Sequence, residues 1–203
     1  MRYLALILAL SALFTSCKVK VISIKNDDGI LISKHQELRK KGQRHGYYKI
    51  YHDNGQIALE MKYKNGKLHG EERGYYENGQ LQSVATSVMG SYEGEFKYWY
   101  TTGVLMQEGK YINNNIEGEL KTYYPNAVLK ETVTFSKTLE NGPYTMYYQN
   151  GKIKEEGFFI NGPFPDGTVK QYNDEGILIR KQQCETGSCT VVWELNPTDK
   201  GDK

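Results

Sequence analysis

The sequence predicts an all-β fold, an elongated antiparallel meander of about six stacked β-hairpins in one twisted sheet. Three observations predict it: two glycine series with a period of 24 residues, stretches of alternating apolar and polar residues, and Asn-Gly turn signals. The composition agrees, because 17 of the 203 residues are Tyr, 21 are Gly and only 38% are hydrophobic. Such a chain is suited to short strands and tight turns around a thin core.

Two series of small residues define the repeat. The first marks the start of each copy: Gly46, Gly70, Gly94, Gly118, Gly142 and Gly167. The second lies nine residues further on: Gly55, Gly79, Gly103, Ala127, Gly151 and Gly176. The last step in each series is 25 residues and spans Pro163, Phe164 and Pro165, which indicates a loop insertion. We therefore expect six copies over residues 46–187.

Each copy holds two strands and two turns. In the first copy, Ile57, Leu59 and Met61 alternate with more polar residues, and this period of two is typical of a half-buried strand. Asn54 and Gly55 predict a type I′ hairpin turn, since both central residues of that turn need positive φ. A second turn at Asn65 and Gly66 returns the chain to the next copy. Successive hairpins then stack into a meander, either as a single twisted layer or as a sheet that curls into a partly closed structure.

These motifs resemble the MORN-variant repeat family, also known in bacteria as the YwqK-type antitoxin repeat. The shared pattern is a glycine, an aromatic pair, Asn-Gly, Leu, Glu, Tyr and Asn-Gly-Lys. Residues 46–70 and 142–162 carry it most closely, and the copy that begins at Gly118 carries it least. The resemblance implies a MORN-like single twisted sheet and, from the family label, an antitoxin role.

The N-terminus has the pattern of a bacterial lipoprotein signal. Arg2 precedes an apolar run over 4–14, which is too short to span a bilayer but suits a signal peptide. Thr15 and Ser16 then precede Cys17, as in a lipobox, so we expect cleavage after residue 16 and lipidation of Cys17. This predicts a cell-envelope protein anchored to a membrane by lipid, with the outer membrane favoured. The alternative is an ordinary secretory signal with a chance cysteine.

The other two cysteines lie near the C-terminus. Cys184 and Cys189 are separated by four residues, and in an exported protein this spacing indicates a disulfide across a small hairpin. Free thiols are the alternative. The predicted divisions of the chain are a signal peptide (1–16), a lipidated N-terminus with a degenerate capping repeat (17–45), six repeats (46–187), and a C-terminal cap and tail (188–203).

No pattern in the sequence indicates catalysis, a cofactor or a metal. One column of possible ligands precedes the boundary glycines: His45, His69, Glu93, Glu117, Asn141 and Asp166. Zinc ligands lie within about 4 Å of one another, whereas equivalent residues of stacked hairpins are about 9.6 Å apart. Another column, Glu60, Glu108 and Glu156, is expected to face a lysine two residues away on the same strand (Lys62, Lys110 or Lys154) and to form a solvated surface. The net charge of only +2 argues against a nucleic-acid binder.

The recurring aromatic residues are the candidate partner-binding residues. They are Tyr76, Trp99, Tyr100, Tyr124 and Tyr148. Their alternative role is structural, covering the sheet between repeats. We expect a non-enzymatic envelope lipoprotein whose repeat surface binds a protein partner. The alternatives are an antitoxin or immunity protein and, third, a glycan binder that uses the aromatic residues.

Overall fold

The computed structural model describes residues 19–39 and 41–196, and every regular element in them is a β-strand. The strands are β1 (Val19–Lys25), β2 (Leu31–Leu38), β3 (Arg44–Tyr51), β4 (Ile57–Lys64), β5 (Lys67–Leu68), β6 (Gly70–Tyr75), β7 (Leu81–Val88), β8 (Ser91–Tyr92), β9 (Gly94–Trp99), β10 (Leu105–Ile112), β11 (Asn115–Ile116), β12 (Gly118–Tyr123), β13 (Leu129–Ser136), β14 (Leu139–Tyr147), β15 (Ile153–Phe159), β16 (Gly167–Tyr172), β17 (Leu178–Glu185) and β18 (Ser188–Glu194). The predicted all-β fold is confirmed.

The strands form one open antiparallel sheet in which each pairs with its neighbours along the chain. The two-residue strands β5, β8 and β11 run into β6, β9 and β12 past a boundary glycine with positive φ. Counting each interrupted pair as one strand, β3 to β17 supply the twelve strands of six hairpins. β1 and β2 extend the sheet before the repeats, β18 extends it after them, and β1 and β18 are its two edges.

The core lies on one side of this sheet, which we call the packed face. Its buried apolar side chains come from successive strands and form a narrow row: Met61, Phe96, Leu120, Val133, Tyr144, Phe159, Val169 and Cys184. Strand alternation places one residue in two on this side. The best-packed part joins Val133, Tyr144 and Phe159, with the Tyr144 and Phe159 rings stacked at 4.2 Å between centroids. Because only this single row is buried, a chain with few hydrophobic residues can still form a core.

Aromatic rings on the packed face lie over glycines of the next strand. Phe96 is opposite Gly109, and Tyr144 is opposite Gly157. A Cβ atom at either glycine would come within 2.8 Å of the opposing ring. These two glycines therefore make room for the rings, and each ring shields glycine backbone from water. The two pairs are 48 residues apart, and at the corresponding place in the first hairpin Tyr48 lies opposite Met61 instead of a glycine.

The turn types differ from the prediction. At the turn between β3 and β4, Gly55 has φ of 83°, but Asn54 is not among the residues with positive φ. The Gly55 N–H donates to the His52 carbonyl at 2.9 Å, as in a type I turn followed by a left-handed glycine. The type I′ prediction for Asn54 and Gly55 is therefore wrong. Beyond this turn, β4 contains one extra residue, Ala58, because Tyr51 lies opposite Ile57 and Ile50 lies opposite Leu59.

The type I′ geometry occurs instead at the turn that returns the chain to the next hairpin. Asn65 and Gly66 have φ of 51° and 82°. Residues other than glycine and asparagine occupy some equivalent positions, with φ of 50° at Lys137 and 66° at Thr138. We call the edge of the sheet formed by these turns the return-turn rim, and the opposite edge the inner-turn rim.

Ala127 offers a simple test of the inner-turn geometry. It occupies the glycine position of its turn with φ of 64° and is exposed, a conformation that costs a residue with a side chain about 1–2 kcal/mol. We expect Ala127→Gly to stabilise the protein by about 0.5–1 kcal/mol after the larger entropy of glycine in the unfolded chain is subtracted. Urea unfolding measures this. Gly103→Ala, at the equivalent open position, should lose a similar amount of stability. The turn assignment would be contradicted if the two substitutions did not change stability in opposite directions.

The segment before the first repeat forms a similar hairpin. At the turn between β1 and β2, Gly29 has φ of 82° and its N–H donates to the Asn26 carbonyl at 3.0 Å. The same two features occur at each inner turn of the repeats. β1 and β2 therefore have the geometry of one further, degenerate hairpin.

Candidate interaction surface

The side of the sheet opposite the core, which we call the ladder face, carries a row of charged residues. Cross-strand register aligns them from β2 to β18 in the order Lys34, Lys49, Glu60, Arg73, Val84, Lys97, Glu108, Lys121, Thr132, Thr145, Glu156, Lys170, Lys181 and Trp193. Glutamates occur at every fourth strand. The glutamates of this face thus recur every 48 residues, twice the length of one hairpin.

The same three-residue cluster occurs three times in this row. In each, a glutamate contacts a lysine of an adjacent strand and accepts a hydrogen bond from a tyrosine hydroxyl 15 or 16 residues later. The clusters are Lys49–Glu60–Tyr75, Lys97–Glu108–Tyr123 and Lys170–Glu156–Tyr172. The expectation that each glutamate pairs with the lysine two residues along its own strand is wrong, because the cross-strand neighbour lies directly opposite.

These contacts fix the charge state of the clusters. At Glu108, the hydrogen bond from Tyr123 and then the one from Lys97 hold the carboxyl pKa below its usual range. The pKa values of the other two carboxyls are lowered mainly by their lysines. Burial, and then the bond to Glu108, raises the pKa of Tyr123 to about 12. At neutral pH each cluster holds a carboxylate, an ammonium and a neutral phenol that satisfy one another.

Four of the predicted partner-binding residues lie on the inner-turn rim and bind the next repeat. The hydroxyls of Tyr76, Tyr100, Tyr124 and Tyr148 donate to the backbone carbonyls of Trp99, Tyr123, Tyr147 and Tyr172 at 2.6, 2.8, 2.8 and 2.8 Å. His52 occupies the same position in the first repeat, with its Nε2 2.9 Å from the Tyr75 carbonyl. The second residue of the aromatic pair therefore links successive hairpins.

The rings of these tyrosines are half-buried, as is Trp99. Their hydroxyls have a structural hydrogen bond, while part of each ring remains open to solvent. A role in binding a partner stays a prediction for all five aromatic residues. Asparagines of the inner turns add a second link to the next repeat: Asn54 donates to the Glu77 carbonyl at 2.8 Å and Asn150 to the Asp174 carbonyl at 2.7 Å.

The column of possible metal ligands serves the return turns. The Glu93 and Glu117 carboxylates accept from the backbone N–H groups of Asn113 and Lys137, both at 2.9 Å. The side chains of His45, His69 and Asp166 make equivalent but longer contacts, each with the backbone N–H group 20 residues further along the chain. Each side chain caps a residue with positive φ. Within residues 19–39 and 41–196, no three His, Cys, Asp or Glu side chains come close enough to hold a metal ion together.

The cysteines fall in two different situations. Cys184 and Cys189 lie opposite each other in β17 and β18 and form a disulfide that links the last repeat to the edge strand. Cys17 and the signal peptide lie outside the described residues, so their roles stay predictions. In the part of the chain that the structure describes, no helix has the length and apolarity to cross a bilayer.

The return-turn rim is the surface that sequence reasoning missed. Turns are ordinarily polar, yet Val88, Met89, Ile112 and Leu139 flank or occupy these turns and are exposed. The sequence does contain a signal for this surface. When the copies are aligned, apolar residues of later copies occupy the positions of Lys64 and Lys67 in the first copy.

An open sheet of equivalent hairpins, with recurring polar groups that bind the next repeat, defines the protein as a β-repeat module. The model of the MORN repeat variant family matches five consecutive segments: 44–65, 68–87, 92–113, 116–137 and 140–161. The chain belongs to the MORN repeat variant family. Repeats of this family are typically non-catalytic modules that contact proteins or membranes. No curated protein matches the chain.

The structure extends the repeat array beyond the matched segments. β16 and β17 form a sixth hairpin, with the same bulge after the inner turn and the same left-handed glycine, Gly176. The one-residue insertion lies where the sequence placed it, between Phe159 and Gly167, and contains the bridge from Phe159 to Pro165.

Proposed function

We propose that this protein is a non-enzymatic lipoprotein of the bacterial cell envelope whose repeat sheet binds a protein partner. The observation that carries the proposal is that the recurring polar groups form hydrogen bonds within the sheet. The tyrosine hydroxyls of the inner turns, the glutamates of the ladder face and the caps of the return turns each bond within the sheet. Side chains engaged in this way build a rigid surface, and a rigid surface binds with little loss of conformational entropy.

The envelope location is supported by the position of Cys17 directly after a short apolar segment. A diacylated cysteine provides stable membrane attachment, since two acyl chains exceed the marginal binding of one. The sheet begins at Val19, two residues beyond Cys17. The lipid would therefore hold the β1 edge close to the membrane, and the repeats would extend from there.

The lipid anchor is tested by metabolic labelling with a palmitate analogue, followed by membrane fractionation. We expect the wild type to carry the label in the membrane fraction, and Cys17→Ala to lose both the label and the membrane association. Cys189→Ala is the matched control, because it removes a cysteine outside the lipobox and should keep the label. An unlabelled, cytoplasmic wild-type protein would overturn the envelope location and move the antitoxin role to first place.

The partner surface is tested separately on the inner-turn rim. Tyr100→Phe removes the bond to the Tyr123 carbonyl but keeps the ring, whereas Tyr100→Ala removes both. If a partner contacts the ring, its capture from cross-linked membranes should survive Tyr100→Phe and fall sharply in Tyr100→Ala. Equal capture by both variants would exclude this ring from the interface. Capture of polysaccharide instead of protein would favour the glycan alternative.

A further inference from the structure

The return-turn rim carries a stripe of exposed apolar side chains. They belong to the second through fifth return turns and are 38–64% exposed: Val88, Met89, Ile112, Leu139, Ile160 and Phe164. Successive turns of a stacked-hairpin sheet are about 9.6 Å apart, so four turns span about 29 Å. Exposed apolar side chains gathered along one edge of a protein are a feature of interaction sites.

Three of the six side chains, those of Val88, Leu139 and Ile160, leave the sheet on the same side. Val88 follows the buried Ser87, and Ile160 follows the buried Phe159, so strand alternation directs both toward the ladder face. Leu139 lies opposite Ser136, and Ser136 follows Phe135 of the packed face. Leu139 is therefore also directed toward the ladder face. The stripe therefore borders the ladder face along one edge.

Charged residues of opposite sign lie at the two ends of the stripe. The first return turn carries Lys64 and Lys67, which pair with each other across the turn. The sixth carries Glu185, and Asp166 lies beside it, with its carboxylate directed at the Thr186 N–H. Along the rim, the surface thus changes from a basic turn, through four turns that each carry an exposed apolar side chain (with Lys137 also exposed in the fourth), to an acidic turn.

We propose that this rim binds the same rim of a second copy of the chain, in antiparallel orientation. A two-fold axis between the third and fourth return turns brings turn one against turn six, turn two against turn five, and turn three against turn four. Basic turns then meet acidic turns, and apolar turns meet apolar turns. This is the self-complementarity that a two-fold interface requires, and charge complementarity at its ends sets the orientation.

Leucine at position 139 lies next to the two-fold axis and gives the first test. The full chain is purified and its mass is measured by sedimentation equilibrium over a range of concentrations. We expect the wild type to be a dimer and Leu139→Glu to be a monomer, because the substitution brings two carboxylates into an apolar contact. Ile177→Glu is the matched control on the inner-turn rim, where Ile177 is similarly exposed (47% against 49% for Leu139), and it should remain a dimer.

A charge exchange tests the antiparallel orientation. Lys67→Glu and Glu185→Lys should each weaken dimerisation several-fold, since each places like charges opposite one another. The double variant restores opposite charges at both ends and should recover the wild-type dissociation constant. Any of three results would overturn the proposal. These are a wild type that is monomeric at every concentration, a Leu139→Glu variant that still dimerises, and a double variant that dimerises more weakly than both single variants. The outcome does not depend on lipidation of Cys17.

Discussion

Tyr144→Ala is expected to destabilise the protein by about 3–5 kcal/mol, the range for removal of a large buried aromatic side chain. Tyr144 is 2% exposed, stacks on Phe159 and packs with Val133. Its ring also covers Gly157, which has no side chain to fill the space. Because a repeat sheet is stabilised mainly by contacts between neighbouring repeats, the loss should concentrate in the fourth and fifth hairpins.

The measurements are urea unfolding and amide hydrogen exchange. Tyr144→Phe is the control: it keeps the ring and loses only the hydroxyl bond to the Glu155 carboxylate at 2.8 Å, so it should cost less, about 1.5–3 kcal/mol. Exchange in Tyr144→Ala should rise most in β13 to β15 and least in β3 and β4. A uniform rise over the whole sheet would show that the repeats unfold as a single unit.

Gly142→Ala is expected to cost at least about 2–3 kcal/mol, from backbone strain and overpacking together. Gly142 is buried with φ of 140°, and a Cβ atom there would lie 2.7 Å from the Thr134 Cβ atom. The Thr134 Cβ atom is fixed to the backbone of β13 and cannot rotate away. The two strands would therefore have to separate locally.

Gly118→Ala gives the matched comparison, because Gly118 starts the preceding repeat with φ of 80° and has open space around its Cα. Only backbone strain applies there, so we expect a loss of about 0.5–1 kcal/mol, as for Gly103→Ala, once the lower entropy of alanine in the unfolded chain is subtracted. Thermal unfolding of both variants decides the point. Equal losses at the two positions would mean that the contact with Thr134 contributes nothing.

The repeat itself could be predicted because it depends on local features. The glycine series recurs where the chain needs positive φ, and the alternation of Ile57, Leu59 and Met61 follows from the geometry of a strand. The turn types were assigned wrongly because Asn-Gly fits more than one short hairpin loop. Asn54 keeps negative φ and uses its side chain to bond the next repeat instead.

The candidate site was predicted less completely, because its contacts join residues far apart in sequence. The aromatic pairs were recognised. The bond from Tyr100 to the Tyr123 carbonyl, however, joins residues 23 positions apart and depends on the register between successive hairpins. The pairing of Glu60 with Lys49, rather than with its same-strand neighbour, depends on the same register. The exposed rim was missed because a sequence does not state which side of an apolar turn is left uncovered.

The period, the number of hairpins, the strand alternation and the family could be predicted from the sequence alone, because these follow from backbone preferences that act over a few residues. The folded chain was needed to see which face is packed, how the tyrosine hydroxyls and turn caps connect the repeats, and where the apolar and charged turns align on one rim. Those properties arise when hairpins stack, since stacking brings together residues that are 15 to 24 positions apart in the chain.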